Sequence, residues 1–330
     1  MHMADSLLSP AIGVGMLAVA SGVLAYSVRD VRKNFQESRI PLMGVAGAFV
    51  FAAQMINFSI PGTGSSGHIG GAVLLAALLG PSPAFIVMAG VLLVQALFFA
   101  DGGLLAWGCN LFNMGFLGCF LAYPYIFRPI AGNFSSRVRV FSAALAASLV
   151  SLELGALSVT LETLLSGVTE LPFVAFAATM LPIHLAIGVG EGLATGAVLL
   201  FVRKNLPDVE ALKLDEKHFS AGRISWVLGL AALVIGGGLS LLASGSPDGL
   251  EWSMERVAGS AELERVGAFH RFFATFAEKI ALLPDYAFPE RESWFGTTFS
   301  GIVGGTVVAV VLCAAGYVIC HKFRRNAAMK

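Results

Sequence analysis

Nine apolar stretches recur along this 330-residue chain, near residues 10–28, 40–60, 69–80, 83–100, 104–127, 138–161, 173–202, 224–244 and 298–320. Several are long enough to cross the roughly 30 Å hydrocarbon core of a bilayer as helices of about 20 residues. Hydrophobic residues make up 56% of the chain and charged residues 13%, with a mean hydropathy of +0.79. Those values exclude a soluble domain and define an all-α polytopic membrane protein. The third stretch is short and begins with glycines, so it is expected to be a partial, loop-started helix. The 38 glycines suit close helix packing in lipid, where small residues let backbones approach. A net charge of zero offers no basic footprint for nucleic acid.

The flanking charges give a topology. Arg29, Arg32, Lys33 and Arg39 follow the first stretch, Arg128, Arg137 and Arg139 the fifth, and Arg203, Lys204, Lys213, Lys217 and Arg223 the seventh; Lys322, Arg324, Arg325 and Lys330 close the chain. The positive-inside rule places these in the cytoplasm. Residues 1–9, 61–68, 101–103 and 162–172 contain no Lys or Arg and fall on the other side. The N-terminus is therefore expected outside and the C-terminus inside. The first stretch lacks a positive n-region and runs into a basic stop, so it is expected to stay as a membrane helix instead of being cleaved as a signal. Cys109, Cys119, Cys313 and Cys320 lie in apolar segments and form no CxxC pair, which points to packing and not to zinc or redox chemistry.

The polar stretch between Arg203 and Arg223 divides the chain into a seven-segment bundle, 1–202, a cytoplasmic linker, 203–223, with the boundary near Ser220, and a two-helix module, 224–330. The last module encloses a long outer segment, 245–297. Within it Leu250, Met254, Val257 and Leu263, then Phe269, Phe272, Phe273 and Phe276, have helical spacing and predict an amphipathic segment lying on the membrane or on the first module.

Residues able to hold an ion gather on the outer side. Met1 is followed directly by His2, a bulky residue that hinders removal of the initiator, so Met1 is expected to remain. The free amine, the first amide nitrogen and the His2 imidazole then close round one ion, and nickel and copper favour such tetragonal nitrogen ligation. His68, in the loop PGTGSSGHIGG, faces the same side, and its glycines allow the bends that bring it to the terminus. It would complete a four-nitrogen site. Protons compete for these donors, so uptake should weaken in acid.

With MHMADSLLSP, GTGSSGH and PDGLE in view, the chain resembles the substrate-capturing membrane component of energy-coupling-factor nickel/cobalt transporters of the CbiM/NikM type, fused to a PDGLE-containing N component. The resemblance implies a metal held through Met1, His2 and His68. It also implies a transmembrane coupling protein and two ATP-hydrolysing subunits as partners, since this chain has no P-loop. Nickel is the expected substrate, because fusion is commoner in that branch, with cobalt the alternative; no cofactor is implied. Toppling of the whole component is the release mode that the resemblance favours.

Ser66, Gln95, Asn110, Asn113, His184 and Glu191 match the family less diagnostically and are candidates for supporting the ligands or coupling to the partners. Glu153 with Glu191 is a competing proton relay, and His270 a possible relay for the ion. Ala48 and Ala52 form a small-xxx-small stripe open to docking by the coupling protein or to packing within the chain. An intramembrane serine hydrolase using Ser65 or Ser66 with His184 is the alternative from another class.

Overall fold

Each of the nine apolar stretches contains a helix in the computed structural model, which describes all residues except 35, 135, 206–220, 262–266, 289–293 and 328–330. In chain order these are α1 (Pro10–Asn34), α2 (Ile40–Gln54), α3 (Ala72–Leu79), α4 (Pro81–Phe98), α5 (Trp107–Ala131), α6 (Arg137–Ser166), α7 (Phe173–Asn205) and α8 (Ala221–Gly237), then α9 (Gly249–Ala258) and α10 (Ala268–Ile280) in the outer segment, and α11 (Trp294–Ala327). Among the described residues α1, α4, α5, α6, α7 and α11 are long and apolar enough to cross a bilayer. Of the nine expected membrane segments, the third is the partial helix its glycines predicted, and α2 and α8 also fall short of that length. At 1.5 Å per residue the 15-residue α2 reaches about 22 Å and the eight-residue α3 about 12 Å.

The apolar run 40–60 breaks because Pro61 and two glycines in the left-handed region, Gly62 (φ +77) and Gly64 (φ +79), favour a turn over a continued helix. Residues 58–67 form a hairpin instead, β1 (Phe58–Ile60) antiparallel to β2 (Ser65–Gly67), with Phe58 opposite Gly67. The outer segment lies against it. The Ser66 amide donates to the Pro247 carbonyl at 2.8 Å, the Ser66 hydroxyl to the Ser246 carbonyl at 2.8 Å, and the Trp252 indole to the Thr63 carbonyl at 3.0 Å.

Helix α6 runs along α7 and α5, while α8 and α11 both pack on α2. The last module is therefore not an appendage beside the bundle. Its helices cover α2, which is buried on all sides, with Ala48 7% and Ala52 0% exposed. The small-residue stripe on α2 is accordingly used within the chain: a Cβ on Gly44 would meet the Ala309 carbonyl at 2.7 Å, and Ala48 faces Gly305. Most of the 203–223 linker lies outside the described residues, as do Leu263 and Lys330.

The expected amphipathic stretch is two helices. Leu250 and Met254 of α9 are buried where it meets α7, whereas Phe269, Phe272 and Phe276 of α10 are exposed. The four cysteines are free; Cys109, Cys119 and Cys320 are buried and Cys313 half-buried.

The tightest helix contact joins α8 to α11, where a Cβ on Gly301 would lie 2.0 Å from the Gly236 carbonyl oxygen. Gly301→Leu should destabilise the protein by about 1–3 kcal/mol through overpacking. Gly15→Leu, with nothing near its added Cβ, should have little effect. Thermal unfolding in detergent checks the pair, and equal midpoints would contradict the packing.

Candidate metal centre

The first residues enter the bundle as an extended strap. Met1 is 4% exposed and Met3 fully buried. An extended backbone carries polar groups that need partners wherever water is excluded. Asn110, on α5, supplies them in both directions: the Met3 amide donates to its Oδ1 at 2.7 Å and its Nδ2 donates to the Met3 carbonyl at 3.1 Å. The same carbonyl accepts from the Gly103 amide at 3.0 Å, and Asp5 Oδ1 accepts from the Ala106 amide at 2.9 Å. Gly155 makes room for the Met1 side chain, since a Cβ there would come within 2.8 Å of Met1 Cε.

The strap meets the loop that carries His68. Met1 N lies 3.4 Å from His68 Nε2, and the His2 and His68 rings stack with centroids 5.2 Å apart and planes 10° apart. His68 follows β2, and the bend beyond it is held by Glu191 of α7. Both Glu191 oxygens accept main-chain hydrogen bonds, from Gly70 at 3.1 Å and Gly71 at 3.0 Å. Gly71 has φ +86, and an added Cβ would strike Val50 at 2.7 Å, so the bend requires glycine. Gln54 Nε2 donates to the Gly70 carbonyl at 2.9 Å, and Gln95 Nε2 donates to Gln54 Oε1 at 2.9 Å.

Two carboxylates hold the donors in place. Asp248 Oδ2 accepts from the Met1 amine at 2.7 Å, and Asp101 Oδ1 lies 3.0 Å from His2 Nδ1. Asp248 is the Asp of PDGLE. Its other oxygen caps α9 by accepting from the Leu250 and Glu251 amides, while Glu251 returns a bond to the Asp248 amide, a capping box. Tyr286, also from the last module, donates its hydroxyl to Asp101 Oδ2 and accepts from Gln95 Nε2 at 3.3 Å. Burial by itself would raise both acids. The cationic terminus and His68 hold Asp248 below the usual carboxylate range, and His2 with the Tyr286 hydroxyl does the same for Asp101. The tyrosine moves the other way, raised by burial and by Asp101.

The structure thus brings Met1, His2 and His68 together. Ser66, Gln95, Asn110 and Glu191 support the strap and the loop by bonding main chain or other side chains, not an imidazole. Asn113 Nδ2 donates to Glu162 Oε2 at 2.8 Å and touches Met3 Sδ at 3.7 Å. Asp101, Asp248 and Tyr286 are the site residues that sequence reasoning left unassigned. PDGLE as a motif and the ADGG stretch that carries Asp101 were the signals for two of them; nothing marked Tyr286.

The competing arrangements are not formed. Both Glu191 oxygens accept main-chain hydrogen bonds from the loop, and no hydrogen bond joins Glu191 to Glu153 among the described residues. Ser65 and Ser66 donate to main-chain carbonyls at 246–247 and 66, while His184 Nδ1 lies 2.8 Å from the Met180 carbonyl. His270 Nε2 lies 2.7 Å from the Leu8 carbonyl and anchors the chain behind the strap. Among the described residues no group of three or more His, Cys, Asp or Glu side chains is placed to hold an ion.

Amine and imidazole groups from an N-terminal strap and a glycine-rich loop thus converge inside a multi-pass helical membrane protein. The family model for the cobalt uptake substrate-specific transmembrane region (CbiM) matches residues 2–209, and the PDGLE domain matches 222–321. The chain belongs to the CbiM family of metal-transport components. It is 30% identical to the putative fused nickel transport protein NikMN of Archaeoglobus fulgidus, over 98% of this chain and 99% of that one. It is also 30% identical to the fused nickel transport protein NikMN of Rhodobacter capsulatus, over 96% of each. The putative cobalt transport protein CbiM 1 of Methanocorpusculum labreanum is 28% identical over 63% of this chain and 91% of its own. A crystal structure of a transition metal transporter superposes with a TM-score of 0.55 at 32% identity, covering 62% of this chain and 93% of that one.

Burial, reinforced by the cationic terminus and His2, lowers the His68 imidazole from 6.5 to about 3. The folded protein then binds fewer protons there than the unfolded chain across that interval. The stability His68 contributes is present above pH 6.5 and is lost as pH falls towards 3. Metal-free wild type should therefore lose unfolding midpoint more steeply than His68→Gln on acidification below pH 6.5. Parallel slopes would mean that His68 is solvated.

Proposed function

We propose that this chain is the substrate-specific component of an ATP-driven energy-coupling-factor transporter for nickel uptake, and that the Met1 amine, the His2 amide, the His2 imidazole and His68 form its ion site. The observation that carries the reading is the approach of Met1 N to 3.4 Å from His68 Nε2 at a buried terminus. The site requires a chain that begins at Met1 with a free amine. Residues 1–202 are the capture bundle, 203–223 a cytoplasmic linker and 224–330 the N-component module. Absence of Lys and Arg from 1–9, 61–68 and 101–103 supports an outer location for the site.

An ion that arrives exchanges carboxylate contacts for metal bonds. A chelate through the His2 amide closes only through Nδ1 of the same residue, because Nε2 lies on the far side of the ring. Nδ1 faces Asp101 here and the amine faces Asp248, so capture frees each donor from its acid. Amine and imidazole ligate as neutral groups and the amide nitrogen as an anion, so binding releases the amine and amide protons to water while the two acids stay beside the ion. Nitrogen donors select against magnesium and calcium, which prefer oxygen. They do not select against copper, whose affinity for such sites is higher. Relatives that match nearly the full chain are named for nickel, which favours nickel over cobalt as the substrate. The chain carries no P-loop, so energy comes from partners, a transmembrane coupling protein and two ATPase subunits.

Competitive nickel and cobalt binding to the purified full chain tests this with wild type, His2→Ala and a form carrying one Gly before Met1, which moves the amine out of the chelate. Both variants should lose more affinity than the roughly 10- to 100-fold that removal of an outer-shell partner costs. An extended form that binds like wild type overturns the site. Asp248→Asn should fall within that 10- to 100-fold range, about an outer-shell loss, and full retention would remove Asp248 from the account.

A further inference from the structure

The cavity beside the strap is lined by Met1, His68, Met114, His184, Asp248 and Gly249 among others, and its free space is on the scale of a single water or ion. His184 takes no part in the four-nitrogen site, yet it faces this cavity. It is 1% exposed, and its Nδ1 lies 2.8 Å from the Met180 carbonyl one turn back on α7. An imidazole that donates Nδ1–H to that carbonyl presents Nε2 as a bare acceptor. No partner for His184 Nε2 is found among the described residues.

A buried acceptor without a donor is costly and calls for an explanation. Tethering one ring nitrogen to a carbonyl while the other keeps its lone pair is the arrangement of a metal-ligating histidine. His68 shows the same pattern, with Nδ1 3.3 Å from the Ile69 carbonyl and Nε2 towards the amine. Two imidazoles, each with Nδ1 near a main-chain carbonyl, thus line one small cavity. The thioether-bearing residues Met1 and Met114 add softer donors to its wall. Gly249, the glycine of PDGLE, keeps the space clear: a Cβ there would lie 3.0 Å from His184 Cε1 and 2.8 Å from Ile187 Cδ1.

We propose that His184 Nε2 is a second station for the transported divalent ion, which it receives through this cavity as the four-nitrogen site lets go. Each metal–nitrogen bond lost at the terminus is replaced by one to His184 or to water, the amide and amine take protons back from water, and the oxidation state does not change. This deepens the capture reading and rests on it. Gly249 then has a specific task, since it lets the PDGLE helix close over His184 without filling the path.

The test measures equilibrium uptake of nickel and of cobalt, with the visible spectrum of bound cobalt, on the full chain in detergent. The one-Gly extension before Met1 serves as the background. This form should retain a weaker site than wild type, and His184→Ala in the same background should weaken it by at least the roughly tenfold that even an outer-shell loss costs. His184→Gln, which keeps bulk and polarity, should lose uptake at an unchanged unfolding midpoint; Gly249→Ala should also weaken it, and His270→Ala should not. No residual site, or a residual site indifferent to His184→Ala and His184→Gln, overturns the proposal. If the extended form instead binds as tightly as wild type, the terminal chelate has failed, and the His184 variants still decide whether His184 ligates.

Discussion

The ion pair between the Met1 amine and Asp248, 2.7 Å long and largely shut off from water, joins the first residue of the chain to its last third. A lone ammonium or carboxylate in that position would carry a desolvation cost of several kcal/mol, so neither end is stable there without the other. Asp248 holds the amine with one oxygen and the start of α9 with the other. The placement of the strap, the entry of the PDGLE helix and the position of the amine beside His68 are therefore one structural event.

A second chain of contacts repeats the connection. Tyr286 bonds Asp101, which holds His2, and also receives Gln95, which reaches through Gln54 to the Gly70 carbonyl in the His68 loop. One residue of the outer segment thus touches the supports of both imidazoles. Removing the last module would take away the acid that holds the Met1 amine and the hydroxyl that bonds Asp101 and Gln95, and it would expose α2, which α8 and α11 cover. The modules share polar networks and packing, so their fusion into one chain has a physical counterpart in the site.

Much of this was legible in the residues. Helical membrane stretches follow from length and hydropathy, because a bilayer enforces internal backbone pairing. The run 69–80 announced its shortness through its glycines, and α3 spans only Ala72–Leu79. The run 40–60 was misread as one segment because its apolar content hides a turn whose signals, Pro61, Gly62 and Gly64, stand just beyond it. Met1, His2 and His68 could be paired from their shared side and chemistry. Asn110 looked like a support for an imidazole, whereas its amide fits the main chain of Met3, a match that depends on how the strap is threaded.

The sequence by itself determined the class of the protein, its apolar segments and which residues carry nitrogen able to ligate, since hydropathy and side-chain chemistry are properties of single residues and their near neighbours. Only the tertiary structure decided which acid faces which donor, that the stripe on α2 packs against α11, and that Glu191 grips the loop beyond His68. Those outcomes depend on contacts between residues far apart in the chain, as for Glu191 with Gly70 and Met1 with Asp248. Distance along the chain carries no record of such pairings; packing in three dimensions creates them.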